Sequence, residues 1–182
     1  MKLKVHTQPA TEPVTADEAK TALSIDGTAR DTQITAAIIA ARQEIEAYTN
    51  RALITQTLEV AFDELPDDIV ELPRPVLQSI TSVTHYDDAS TATVVNAANY
   101  HVDTYGEPGG FALNTDSEWP TGTPRTTNTL IVRYVAGYGA ASDVPRALRE
   151  AVIEMVRSMI DGDPDAEARA KRFAKPYRIV QI

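Results

Sequence analysis

With 182 residues and 43% hydrophobic content, the chain can bury a core of its own. A formal charge of −9 argues against broad, nonspecific nucleic-acid binding and against an anionic membrane surface as main partner, since both require clustered Lys and Arg. The absence of cysteine excludes a disulfide framework, a thiol nucleophile and a thiolate-bound metal.

The opening "MKLKVHTQPATEPVT" has two lysines with no apolar run behind them, so it reads as a tail and not as a signal peptide. No uncharged apolar run of about 18 residues occurs, so no membrane span is expected. A soluble protein of intracellular origin is the expectation. The first helix starts at "TADEAKTAL", where Thr15 and Glu18 match a capping box, and "DGTARD" breaks it at Gly27. Asp31 is then expected to cap a long helix. Along it Ile34, Ile38, Ala41, Ile45 and Tyr48 form one apolar stripe, with Arg42, Glu44 and Glu46 off it.

From Thr57 the texture becomes that of strands. "TLEVAFDEL" alternates, "IVELPRPV" is bounded by proline and "SITSVTHY" is β-branched with period two. "YHVDTYGEPGGFALN" reads as two strands around a Gly/Pro turn, and "NTLIVRYVAGY" as the longest strand. Six or seven short strands are expected, antiparallel because the connections are too short for crossovers. A helical pattern returns at Pro145, with Leu148, Val152, Met155 and Met159 on one stripe.

The expected fold class is α+β: a small helical body of three to four helices with an inserted antiparallel β module. Neither apolar stripe can be buried alone, so the two are expected to pack together. The divisions are residues 1–56 (N-terminal helical part), 57–139 (β module), 140–168 (C-terminal helical part) and 169–182 (basic tail). That tail carries five basic residues and no acidic one; taking its +5 from the whole chain's −9 leaves −14 on the rest.

Enzyme motifs are missing: there is no Gly-rich phosphate loop, no Gly-x-Ser-x-Gly elbow and no His-Glu-x-x-His. His101 and Asp103 share a strand face, where cross-strand polar contacts compete with an acid–base pair. Asp161, Asp163 and Asp165 resemble the start of a calcium loop, but Ala166 and Arg172 occupy the positions of its glycine and its bidentate glutamate. "DGDPD" therefore reads as a helix terminator, and Asp67-Asp68 and Asp87-Asp88 as solvated turns. No metal or cofactor is expected. The basic tail is the feature least explained by folding alone: Lys171 and Arg172 suit a helix C-terminus, but the β-prone run after Pro176 suits a docking segment.

Four stretches together resemble a known family. "VTADEAKTALSIDG…DTQITAAIIAARQEIEAYTNRALITQT", "ELPRPVLQSITSV", "LIVRYVAGYG…DVPRALREAVIEMV" and "KPYRIV" are similar, in this order, to the head–tail connector (neck adaptor) proteins of long-tailed phages, prophages and gene transfer agents. Residues 86–127 match least, and "SMIDGDPDAEA" departs from the family's usual end to the last core helix. The resemblance implies a non-enzymatic virion protein, located in the neck and in the host cytoplasm during assembly. It implies a homo-oligomeric ring, commonly dodecameric, beneath the portal, extending the DNA channel and meeting the next neck or tail protein.

On that reading DNA passes without specific binding, helped by the acidic body, and no membrane is involved. The tail residues Lys171, Arg172, Lys175, Tyr177, Arg178, Ile179 and Val180 are the expected portal-docking segment, adding a strand to an exposed edge. Gly137, Tyr138, Gly139 and Pro145 are the expected structural joint between strand and helix. Three alternatives stand beside this. One is another neck protein, such as a tail-completion factor. A second is a monomeric ligand-binding β module with an aromatic cluster of Tyr86, Tyr100, Tyr105, Phe111 and Trp119. The third is an enzyme built on His101 and Asp103.

Overall fold

The computed structural model describes residues 1–180. The chain forms two compact units: one of residues 1–9 and 55–137, the other of residues 10–54 and 138 onward. The described residues have an α+β architecture, with four α-helices and two antiparallel sheets. None of the described helices is long and apolar enough to cross a membrane.

In the helical unit, α1 (Ala16–Leu23) opens on the expected capping box: the Glu18 amide donates to the Thr15 hydroxyl, and the Thr15 amide donates to the Glu18 carboxylate at 2.8 Å. Ser24, in the left-handed conformation, ends it. The long helix α2 (Asp31–Thr49) starts one residue earlier than a cap at Asp31 requires: Arg30 is the N-cap, and Asp31 lies in the first turn, paired with Lys20 at 2.7 Å. Helices α3 (Arg146–Asp161) and α4 (Ala166–Ala174) follow the second crossing of the chain. Ile34, Ile38, Ala41 and Ile45 of α2 and Leu148, Val152 and Met155 of α3 enter one core, so the two stripes bury each other as their periodicity predicts. Met159, read as part of the stripe, is 41% exposed, while its neighbour Ile160 packs against the core.

Arg42 and Glu46 also depart from the sequence reading. They lie off the apolar stripe yet are 2% and 3% exposed. Arg42 donates to Glu12 at 2.7 Å and to Glu46 at 2.8 Å, and Glu46 accepts the Leu53 amide at 2.9 Å. A charge enters a core only when its hydrogen bonds are replaced, and here they are.

The β unit contains a five-stranded sheet, ordered β1 (Lys2–Thr7), β2 (Gln56–Phe62), β8 (Leu130–Ala136), β4 (Leu77–Tyr86) and β5 (Ala92–Val94). A three-stranded sheet is ordered β3 (Val70–Glu71), β7 (Gly110–Leu113) and β6 (Tyr100–Asp103). Every pairing is antiparallel, as the short connections require. In the central strand β8, Leu130, Val132, Tyr134 and Ala136 are buried while their neighbours are half-buried, giving the period-two signal. Val60, Val132 and Val83 form one buried row across β2, β8 and β4.

The N-terminal segment, read as a tail, is the edge strand β1. Its Lys4 lies opposite Glu59, which in turn lies opposite Arg133. Glu59 is 2.6 Å from Lys4 and 2.9 Å from Arg133. Burial pulls the Glu59 carboxyl upward, but the hydrogen bonds from Lys4 and Arg133 outweigh it and hold the group below the ordinary glutamate range.

Candidate docking surfaces

At the joint, backbone geometry dominates. Gly137 and Gly139 have φ of 125° and 126°, values that L side chains rarely adopt. A Cβ on Gly139 would meet Asp143 Oδ2 at 2.5 Å, and that oxygen accepts the Ala140 amide at 2.8 Å, capping a short 3-10 turn, Ala141–Asp143. Tyr138 donates its amide to the Leu53 carbonyl at 3.3 Å. Pro145 occupies the N-cap of α3, one position before the first-turn site read from sequence, and its carbonyl accepts the Leu148 and Arg149 amides. These contacts fix the backbone from Tyr138 to Pro145 ahead of α3.

The C-terminal segment is described as far as Val180. In α4, Ala166, Ala170 and Ala174 are buried, which turns Lys171, Arg172 and Lys175 outward. Arg169 bonds Glu154 at 2.8 Å and Asp163 at 2.6 Å, and these contacts lower the Asp163 carboxyl and raise the guanidinium. Lys171 pairs with Glu167 one turn back. Arg172 and Lys175 make no ion pair among the described residues.

A 3-10 turn, Lys175–Tyr177, follows α4. There Arg51 donates to the Tyr177 carbonyl at 2.6 Å, the Ile179 amide donates to the Thr49 carbonyl at 2.9 Å, and the Arg178 guanidinium lies 5.4 Å from the Tyr48 ring centroid. The expected free strand at Tyr177–Val180 is therefore a segment fastened to the end of α2, where an orphan helix carbonyl takes the Ile179 amide. Residues 181 and 182, part of the expected tail, lie outside the described residues. Thr49 and Arg51, which position the segment, gave no signal in the sequence.

The competing sites do not assemble. Asp103 Oδ1 accepts the Tyr105 and Gly106 amides in a turn after β6, and His101 is exposed. The five aromatic residues are dispersed: Tyr100 packs edge-on against Phe111 at 5.5 Å, Tyr86 lies under Arg125, Tyr105 is 97% exposed and Trp119 donates to the Pro66 carbonyl at 3.0 Å. "DGDPD" does terminate a helix: Gly162 is the left-handed C-cap of α3, and Asp163 accepts the Asp165 amide at 2.9 Å.

One groove was missed. Where the chain enters β3 and leaves β7, the two segments separate and leave an open cavity of about 450 Å³. Asp67, Asp68 and Glu118 line it together with Ile69, Leu113 and Trp119, and no Lys or Arg does. Ile69 is 66% exposed. Asn114, also lining, donates to the Ala98 carbonyl, while its own side-chain oxygen is shielded and without a partner among the described residues. The sequence shows Asp67-Asp68 and Trp119 separately; only the β3–β7 pairing brings them together.

The comparisons agree with this fold. A solved structure described as the neck of an empty gene transfer agent particle, computed with C6 symmetry, superposes with a TM-score of 0.79 at 20% identity, covering 100% of this chain and 97% of that one. A chain in the virion of a native gene transfer agent particle gives 0.78 at 20%, and one in the neck of a native particle, computed with C12 symmetry, gives 0.77 at 19%, each with the same coverage. At that identity the likeness establishes a shared fold. Among curated proteins none matches this chain. The model of the head completion protein family matches residues 12–170, which takes in all four helices except the last residues of α4 and both sheets except β1. The protein belongs to the head completion protein family.

Proposed function

We propose that this protein is a structural, non-enzymatic component of the virion neck, which joins a packaged head to its tail as a homo-oligomeric ring beneath the portal. The observation that carries the reading is the family match over residues 12–170. The whole-chain likeness to neck chains of gene transfer agent particles solved with C6 and C12 symmetry supports an annular arrangement. Its partners are copies of itself, the portal and the next neck or tail protein.

The residues suit such a role. A neck subunit needs defined local geometry where its chain turns, and Gly139 and the Asp143 cap on Ala140 supply it ahead of α3. It also needs docking surfaces; the outward face of α4 and the segment to Val180 provide a cationic one. DNA passes through the ring without specific binding, in keeping with the −14 carried by the residues outside that segment. Deleting the gene tests the proposal: filled heads lacking tails, restored to whole particles by the gene in trans, are expected. Normal tailed particles from the deletion would contradict it.

A further inference from the structure

The described residues present two unlike charged surfaces, one in each unit. The first is the groove beside β3, with Asp67, Asp68 and Glu118 around Ile69 and Trp119 and no cation in its lining. None of these three carboxylates makes an ion pair among the described residues. The second is the outward face of α4 and the turn after it, where Arg172 and Lys175 are exposed, with Arg178 and Val180 exposed in the extended segment that follows. Among the described residues Arg172 and Lys175 are also without an ionic partner.

A ring closed by rotation alone requires such a pair. Each copy must offer one surface to the copy before it and a different, complementary surface to the copy after it. Unpaired charges of one sign on one surface and of the other sign on the second give that contact its direction and reject the reversed pairing. The groove also offers a half-buried indole and an exposed isoleucine, which the aliphatic stems of Arg and Lys can cover while their heads reach the carboxylates. Strand addition by Tyr177–Ile179 fits less well, because Arg51, Thr49 and Lys175 already hold hydrogen-bonding groups of that backbone.

We infer that the acidic groove of each copy receives the Arg172–Lys175 face of the adjacent copy, making the lateral contact of the ring. This rests on the ring reading, and names the partner of the cationic surface as a second copy of this chain.

The chain has no cysteine, so introduced thiols report cleanly. Full-length Thr115→Cys and Ala168→Cys chains place one thiol in the groove lining and one on the α4 face while leaving every charge in place. The two are mixed, assembled with the portal and treated with a short bis-maleimide. Covalent dimers in the mixed rings, about tenfold above either variant assembled alone, are expected. Mixed rings without such dimers overturn the inference and leave the ring reading intact; no ring from the wild-type chain overturns both.

Charge reversal supplies the second readout. Asp67→Lys/Asp68→Lys and Arg172→Glu/Lys175→Glu are each expected to reduce ring assembly by about tenfold or more, and the chain carrying all four is expected to recover it. Intact rings of Arg172→Glu/Lys175→Glu that no longer bind portal would assign the cationic face to the portal and overturn the inference.

Discussion

Arg51 donates from Nε to the Tyr177 main-chain carbonyl at 2.6 Å, joining positions 126 residues apart inside the helical unit. Arg51 is 7% exposed, so the contact is shielded from water. Arg51→Ala removes a buried charged donor and is expected to cost about 1–3 kcal/mol. It also loosens the segment it holds, so limited trypsin digestion is expected to cut faster after Arg178. A cleavage rate equal to wild type would show that Ile179–Thr49 and the remaining packing suffice.

Glu59 gives the β unit an acid-sensitive edge. Its folded pKa is depressed, so the stabilisation by Lys4 and Arg133 is present above the ordinary glutamate value of about 4.3 and is lost as pH falls through the lower folded value. Thermal melts of wild type are expected to fall steeply in that acidic window, and those of Glu59→Gln less steeply. Parallel pH profiles for the two would contradict the assignment.

Tyr134 is fully buried, and its hydroxyl donates to the Pro73 carbonyl at 2.6 Å. Tyr134→Phe leaves that carbonyl without this donor and is expected to destabilise by about 1–2 kcal/mol in a denaturant melt. Burial also raises the phenol's pKa well above its usual value. The stabilisation is therefore complete below the unfolded value of about 10 and is lost as pH rises through the folded one. In an alkaline absorbance titration Tyr134 is expected to ionise only with unfolding.

Gly139→Ala tests the joint. The new methyl meets Asp143 Oδ2 at 2.5 Å in a backbone region unfavourable to alanine, so the cap on Ala140 must shift. A loss of about 1–3 kcal/mol is expected, with fewer assembled necks in complementation assays. Gly162→Ala, at φ 68° in the milder left-handed region and with open space around it, is expected to lose less. Equal losses at the two sites would remove the role given to Asp143.

The fold was legible wherever periodicity was strong. The stripes of α2 and α3, the alternation of β8 and the capping box at Thr15 each specify their element locally. β1 was not read as a strand although Lys2, Leu3, Lys4, Val5 and His6 alternate, because six exposed residues gave no apolar signal and the pairing with β2 is made some 55 residues away. The burial of Arg42 and Glu46, off the apolar stripe, is not legible because sequence shows a charge but not the partner that lets it enter a core. The docking surfaces were half visible. The basic run is contiguous in sequence, so its charge could be seen, but its attachment through Thr49 and Arg51 is tertiary. The groove was invisible for the same reason, since Asp67 and Trp119 meet only through β3 and β7.

The most direct test of the neck reading is the mass of the purified full-length chain, alone and mixed with its portal, by light scattering behind a sizing column. A ring-sized assembly, alone or on the portal, is the predicted result; a chain of 19.8 kDa that stays monomeric and ignores the portal would contradict it.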